Sequence, residues 1–226
     1  MAPRDCQVAP HLGAPNRGRV QRKLKMYFDV NNLDNNLYLC NTIMGENNDI
    51  AQMLALLHKL QGIDFIRQLR LITERHEFSP LDTDPQIFVV GGELAEDYTS
   101  LLNAARKAVE LGNRVFMLPN PKGIRTADYI FERKGVYKMF DLKTIAGKNS
   151  VDNRLSESVG QTNRVLLHMT ADYNPGTLAR SIKRYFELNP YAREVLVYKG
   201  KKQISVTRKS LEDTNFFRTF IRRYAK

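Results

Sequence analysis

The sequence predicts an α/β protein: a mixed sheet flanked by helices, with a small helical segment ahead of it. Three observations carry that prediction. From Pro85 onward, short runs rich in β-branched and aromatic residues alternate with amphipathic segments of helical period. Gly135 and Gly200 punctuate two pairs of such runs in the manner of hairpin turns. Residues 47–76 instead carry apolar side chains at helical spacing.

Residues 1–25 hold Pro3, Pro10 and Pro15, show little apolar periodicity, and read as a flexible basic leader. Its cluster Arg17, Arg19, Arg22, Lys23 and Lys25 suits nucleic-acid contact or plain solubility. Residues 26–84 read as a small helical segment. Asp49 caps a helix with Ile50, Met53, Leu54, Leu57 and Leu60 on one stripe, Gly62 breaks it, and Phe65, Ile66, Leu69 and Ile72 form a second stripe. A boundary is expected between Ser79 and Pro85, so that residues 85–226 make the main domain.

In that domain 87–90 is a short buried segment, 93–111 a long helix ended by Gly112, and 114–118 a strand. A basic loop, 119–125, leads to two short strands bearing Asp128 and Asp141. A helix over 151–162 and an apolar strand over 164–169 follow. Asn174-Pro175 opens the next helix, with proline at its first position. Leu178, Ile182, Tyr185 and Phe186 form its apolar stripe, and Arg180, Lys183 and Arg184 its other face. Strands at 194–198 and 203–207 flank Gly200. Ser210 caps a final helix with Glu212 and Asp213 near its start and Arg222, Arg223 and Lys226 near its end, as the helix dipole favours.

The formal net charge is +11 and it is segregated. Local balances are +5 over residues 1–25, −5 over 26–84 and +11 over 85–226. A basic surface gathered in one part of the chain favours a polyanion, nucleic acid above all, over a random scatter of solvated lysines. Cys6 and Cys40 make neither a zinc signature nor a disulfide framework, which points to a reducing compartment. There is no apolar run of membrane-spanning length, no signal-peptide pattern and no call for a membrane partner, so the expected place of action is the cytoplasm, with the delivery route unread.

The chemistry concentrates in Asp141-Leu142-Lys143. Two residues apart on a strand, Asp141 and Lys143 leave the same face. A neighbouring strand can set Asp128 beside them, so two carboxylates and an ammonium surround one point. Hard carboxylate oxygens hold Mg2+ or Mn2+, and a lysine stabilises charge on a reacting phosphate. An isolated Asp-x-Lys triplet is most often a surface salt bridge; the order of elements around this one is what sets it apart.

That order, a helix, three strands with the acids on the second and third, a helix and a strand, resembles the PD-(D/E)xK or restriction-endonuclease-like nuclease core. Leu111-Gly112, Val115, Leu118-Pro119, Ala127-Asp128, Asp141-Leu142-Lys143 and Gln161 before an apolar strand are similar to the C-terminal tRNA nuclease domains of CdiA contact-dependent growth inhibition toxins. Such domains also occur fused to phage head-morphogenesis proteins, and the helical segment before residue 80 suits a remnant of that arrangement. The resemblance spans residues 85–170. It implies metal binding by Asp128 and Asp141, a catalytic Lys143 and a polar site residue at Gln161. A further acid is expected from the first helix. Glu96 is the best match, although Glu93 and Glu96 also suit the helix dipole, and Asn103, nearer the expected turn, is no acid.

Lys122, Arg125, Lys148, Arg154 and Arg164 flank the motif in sequence and are the expected phosphate contacts. Tyr129, Tyr137 and Tyr173 suit base stacking or packing. The resemblance implies a toxin-like nuclease acting on RNA, tRNA above all, and an acidic immunity protein as partner. A DNA endonuclease of the same fold and a non-catalytic basic phage module are the alternatives. A metal-independent RNase would use a histidine or lysine acid–base pair, and His168, the only histidine of the main domain, lies within an apolar strand.

Overall fold

The structure is a computed structural model, and it describes residues 49–91, 97–120, 126–147 and 151–225. Eight strands form one mixed sheet whose spatial order is its order in the chain. β1 (Phe78–Leu81) and β2 (Asp84–Val90) are antiparallel. β3 (Arg114–Met117) lies parallel to β2, and β4 (Tyr129–Arg133) and β5 (Val136–Ile145) continue as an antiparallel meander. β6 (Arg164–Met169) and β7 (Glu194–Lys199) are parallel to β5, and β8 (Lys202–Thr207) turns back against β7.

Parallel neighbours need crossovers, and helices supply them. The described helices are α1 (Ile50–Leu56), α2 (Gly62–Thr73), α3 (Tyr98–Glu110), α4 (Val151–Glu157), α5 (Pro175–Leu188), α6 (Arg208–Leu211) and α7 (Phe216–Ala225). α3 links β2 to β3, α4 links β5 to β6 and α5 links β6 to β7. The two-residue turn between β4 and β5 places Lys134 at φ 53° and Gly135 at φ 76°. This is the pairing that twisted hairpins favour. Glu132 Oε1 accepts from the Gly135 N–H at 2.7 Å and fixes the turn.

Alternation along the strands gives the sheet two faces. On one face Ile145, Val165, Leu167, Val195, Val197, Ile204 and Val206 pack with Val151 and Leu155 of α4, Leu178, Ile182 and Phe186 of α5, and Phe216, Phe220 and Tyr224 of α7. On the other, Ile87, Val115, Tyr129, Phe131, Phe140, Leu142, Leu166, Leu196 and Tyr198 pack with Ala104, Ala105 and Ala108 of α3. Each face thus carries an apolar layer packed under helices, and β5 is shared by both.

Three expectations about the elements change. The boundary expected at 84/85 falls inside the β1–β2 pairing, because Phe78↔Val90 and its successors tie residues 78–81 to the main sheet. All the described residues belong to one compact unit, Asn47–Lys226. The helix expected over 151–162 ends at Glu157. The final helix is two: Thr207 caps α6 in a reciprocal capping box with Ser210, and α7 starts afresh at Phe216. Other signals hold as read. Asp49 caps α1 by accepting from the Ala51 N–H, Asn174 caps α5 by accepting from the Thr177 N–H, and Gly112 ends α3 at φ 83°. The leader, Cys6 and Cys40 lie outside the described residues.

Candidate active site

Asp128 precedes β4 by one residue and already sits in the ladder. Its N–H donates to Phe140 O at 3.0 Å and its C=O accepts from the Leu118 N–H at 2.8 Å. Continuing the β4–β5 register by one step from Tyr129↔Phe140 sets Asp128 opposite Asp141. Along β5, Asp141 and Lys143 share the face of Ile145, while Leu142 and Thr144 take the other. The Thr144 hydroxyl confirms the split by bonding Ser100 on α3 at 2.8 Å.

The three predicted side chains meet. Asp128 Oδ2 accepts from the Leu142 N–H at 2.6 Å. Lys143 Nζ lies 3.1 Å from Asp141 Oδ1 and 3.0 Å from Oδ2. Asp141 is 2% exposed and Lys143 is largely buried. Asp141 Oδ2 is close to the ammonium yet receives no well-directed hydrogen bond, so a buried carboxylate oxygen has spare acceptor capacity.

Burial raises the Asp128 carboxyl, and the charge of Asp141 raises it further, to about 7, against the opposing pull of the Leu142 N–H and Lys143. Asp141 is also raised, by burial first, while Lys143 and a hydrogen bond with Asp128 pull it down and the negative Glu157 pushes it up. Two carboxyls this close hold one proton between them near neutrality. A divalent cation can take that proton's place.

The donor set fits such an ion. Asp128 and Asp141 offer hard oxygens with unused lone pairs, and Mg2+ commonly binds through one or two carboxylates while keeping its waters. Among the described residues no group of three or more His, Cys, Asp or Glu side chains gathers at one point. Glu96, the acid expected to complete the set, lies outside the described residues, as do Glu93, Lys122, Arg125 and Lys148.

Arg164 and Gln161 depart from expectation. Arg164 is not placed as a phosphate contact: alternation along β6 puts it with Leu166, on the face opposite Asp141. There it is mostly buried, 3.5 Å from Glu194, with Asn163 Oδ1 accepting from it at 3.1 Å. Arg154 is exposed and pairs with Glu157 at 3.0 Å. The Gln161 amide donates to the Glu157 carbonyl at the end of α4 rather than to either acid. His168, opposite Thr144 in the register, also lies across the sheet from the carboxylates. Sequence reasoning missed Glu157, whose charge reaches Asp141. Its position on the helix that follows the lysine-bearing strand was the available signal.

No protein-family model matches this chain, and no curated protein does. Among solved structures the chain is similar to a CdiA-CT/CdiI toxin and immunity complex from Burkholderia pseudomallei, with 16% identity over 53% of this chain and 98% of that one and a TM-score of 0.37. At that level the likeness decides neither fold nor function.

Proposed function

We propose that this chain is a PD-(D/E)xK-type, metal-dependent nuclease that hydrolyses phosphodiester bonds in RNA, with tRNA as the substrate class and a toxin-like role. The observation that carries the reading is the convergence of Asp128, Asp141 and Lys143 beside an unsatisfied carboxylate oxygen. RNA, tRNA and the toxin role rest on the motif resemblance alone.

Asp128 and Asp141 would hold Mg2+ or Mn2+, which when bound polarises a scissile phosphate and acidifies a bound water. The residues around it have separate tasks. The Leu142 N–H fixes the rotamer of Asp128. Lys143, held against Asp141, stands ready to donate to a phosphate oxygen as negative charge grows there. The proton shared by the two acids must leave before both can serve as ligands, which ties cation binding to pH. A producing cell would need protection from such an activity, and the basic chain offers an acidic immunity protein an electrostatic target.

Incubation of the purified chain with total tRNA and with plasmid DNA, each with Mg2+, Mn2+ or chelator, tests the reading. Metal-dependent cutting of tRNA that Asp141→Ala abolishes is the expected result. Cutting of DNA alone reassigns the substrate, and no cutting of either removes the nuclease.

A further inference from the structure

The outer surface of α5 and α7 sets partly exposed apolar side chains beside arginines. α7 buries Phe216, Phe220 and Tyr224 against the sheet and turns Phe217 and Ile221, 36% and 37% exposed, to its margin. The two helices run antiparallel there: a Cβ at Gly176 would meet Ile221 Cδ1 at 3.9 Å, and Lys183 Nζ stands 5.8 Å from the Phe217 ring centre. Advancing seven residues along α5 thus retreats four along α7. An aromatic ring and an isoleucine side chain line a shallow seam between them.

Cations border that seam on both sides. Arg180 and Arg184 are exposed on α5, and Arg218 and Arg222 on α7. Each pair is four residues apart, about 6 Å along its helix axis. Among the described residues Arg184, Arg218 and Arg222 have no carboxylate partner, and Arg180 bonds only the Thr177 hydroxyl. Glu187 is the one acid on α5, and it lies 3.8 Å from Lys183. Exposed arginines of one sign, left without counter-charges, are stable beside a polyanion and repel one another without it. Phe217 and Ile221, with Leu188 at the far end of α5, are too few apolar side chains to anchor a membrane-surface helix. An aromatic between two arginine rows is instead what an unpaired base and its flanking phosphates require.

The seam lies on the same side of the sheet as the candidate active site. α4 packs on α5 and α5 on α7, and all three cover the sheet face that presents Asp141 and Lys143. We propose that the α5–α7 seam is a docking surface for an unpaired stretch of RNA, with Arg180, Arg184, Arg218 and Arg222 on phosphates and Phe217 stacked on a base. The choice of RNA rests on the proposed function; the surface itself rests on charge and exposure.

The test is binding of the full chain to a fluorescent twenty-nucleotide single-stranded RNA across a salt series, with chelator present so that no cleavage enters. Arg184→Gln, Arg218→Gln and Arg222→Gln together should lower the log–log salt slope by about 2, roughly 0.7 for each phosphate no longer neutralised. Phe217→Ala should weaken binding by about fivefold or more and leave the slope unchanged. A control that removes three other exposed cations, Lys59, Arg133 and Lys134, should move the slope much less. Equal loss in the control would reduce the effect to net charge and overturn the proposal. So would an unaltered slope in the triple variant, tighter binding of blunt duplex than of single strand, or loss of anionic-vesicle binding with RNA binding intact. Cleavage is scored separately on tRNA with Mg2+, so a failed seam and a failed nuclease give different results.

Discussion

Asp128→Asn should make this protein more stable while destroying its chemistry. In the wild type the partly buried Asp128 carboxyl lies beside the buried Asp141, and folding raises the Asp128 carboxyl to about 7 from its ordinary value of 3.8. A folded-state value above the unfolded one means that the native state holds a proton the unfolded chain has released. For an acid this costs stability as pH rises from about 4, and the loss is complete above about 7. The gap spans about three pH units at roughly 1.4 kcal/mol each, so the full cost is about 4 kcal/mol. Asparagine imitates the protonated acid: its Oδ1 can still accept from the Leu142 N–H, and its amide can donate to Asp141. The variant's advantage should therefore grow by about 2–3 kcal/mol between pH 5 and pH 8. For a chain of this size that is a relative gain in Tm of roughly 5–10 °C. Thermal and urea unfolding of both proteins at the two pH values, with chelator present, measures it. Saturating Mg2+ should then stabilise the wild type, by about 2.7 kcal/mol at a hundred times Kd, and leave the variant nearly unmoved. An advantage that is flat or shrinks with rising pH would refute the shared-proton picture.

The remaining expectations concern the same frame. Lys143→Ala should lower cleavage at least about a hundredfold while Mn2+ binding, read by calorimetry, persists. At subsaturating metal, cleavage should climb toward tenfold per pH unit below about 7 and level off above it, because the cation displaces a proton from the acid pair; a profile flat from pH 5.5 to 8 counts against that coupling. Glu194→Ala should cost about 2–4 kcal/mol in urea unfolding, since it strands the mostly buried Arg164 and frees Lys138, now 2.8 Å from Glu194; a loss below about 1 kcal/mol would show that the network adds little.

What the sequence disclosed follows from how local each signal is. Caps and turns are local, and Asp49, Asn174, Gly112 and Gly135 did what their chemistry suggests. The acid pair was legible because one strand's period of two fixes Asp141 against Lys143 and a two-residue hairpin fixes Asp128 against both. What failed was non-local. Phe78–Leu81 is a strand only because β2 lies beside it, and Ser79-Pro80 alone reads as a break. Arg164 follows the motif in sequence, but which face of β6 it takes is set by the register with β5, so proximity along the chain misled. Glu157 carries no motif of its own. The α5–α7 seam was half visible: Arg180, Lys183 and Arg184 were seen as an outer face, but not that Phe217 and Ile221 would lie beside them.

The two kinds of charge in this molecule act in opposite directions and thereby order its chemistry. The long-range field is positive, +11 overall, and under the proposed function would draw a polyanion to the surface. The local field at Asp128 and Asp141 is negative wherever their shared proton has gone, so a phosphate brought beside them meets two carboxylates with only Lys143 to offset them. A phosphodiester therefore fits this point only after a cation, or at low pH the proton, has cancelled that charge. Binding along the basic surface needs no such step. Affinity for RNA and productive placement of the scissile bond should thus separate experimentally: the first weakens with monovalent salt and ignores chelator, the second depends on divalent metal and pH. Chelator that abolished binding as completely as cleavage would mean that the arginine rows and the acid pair do not act as independent parts.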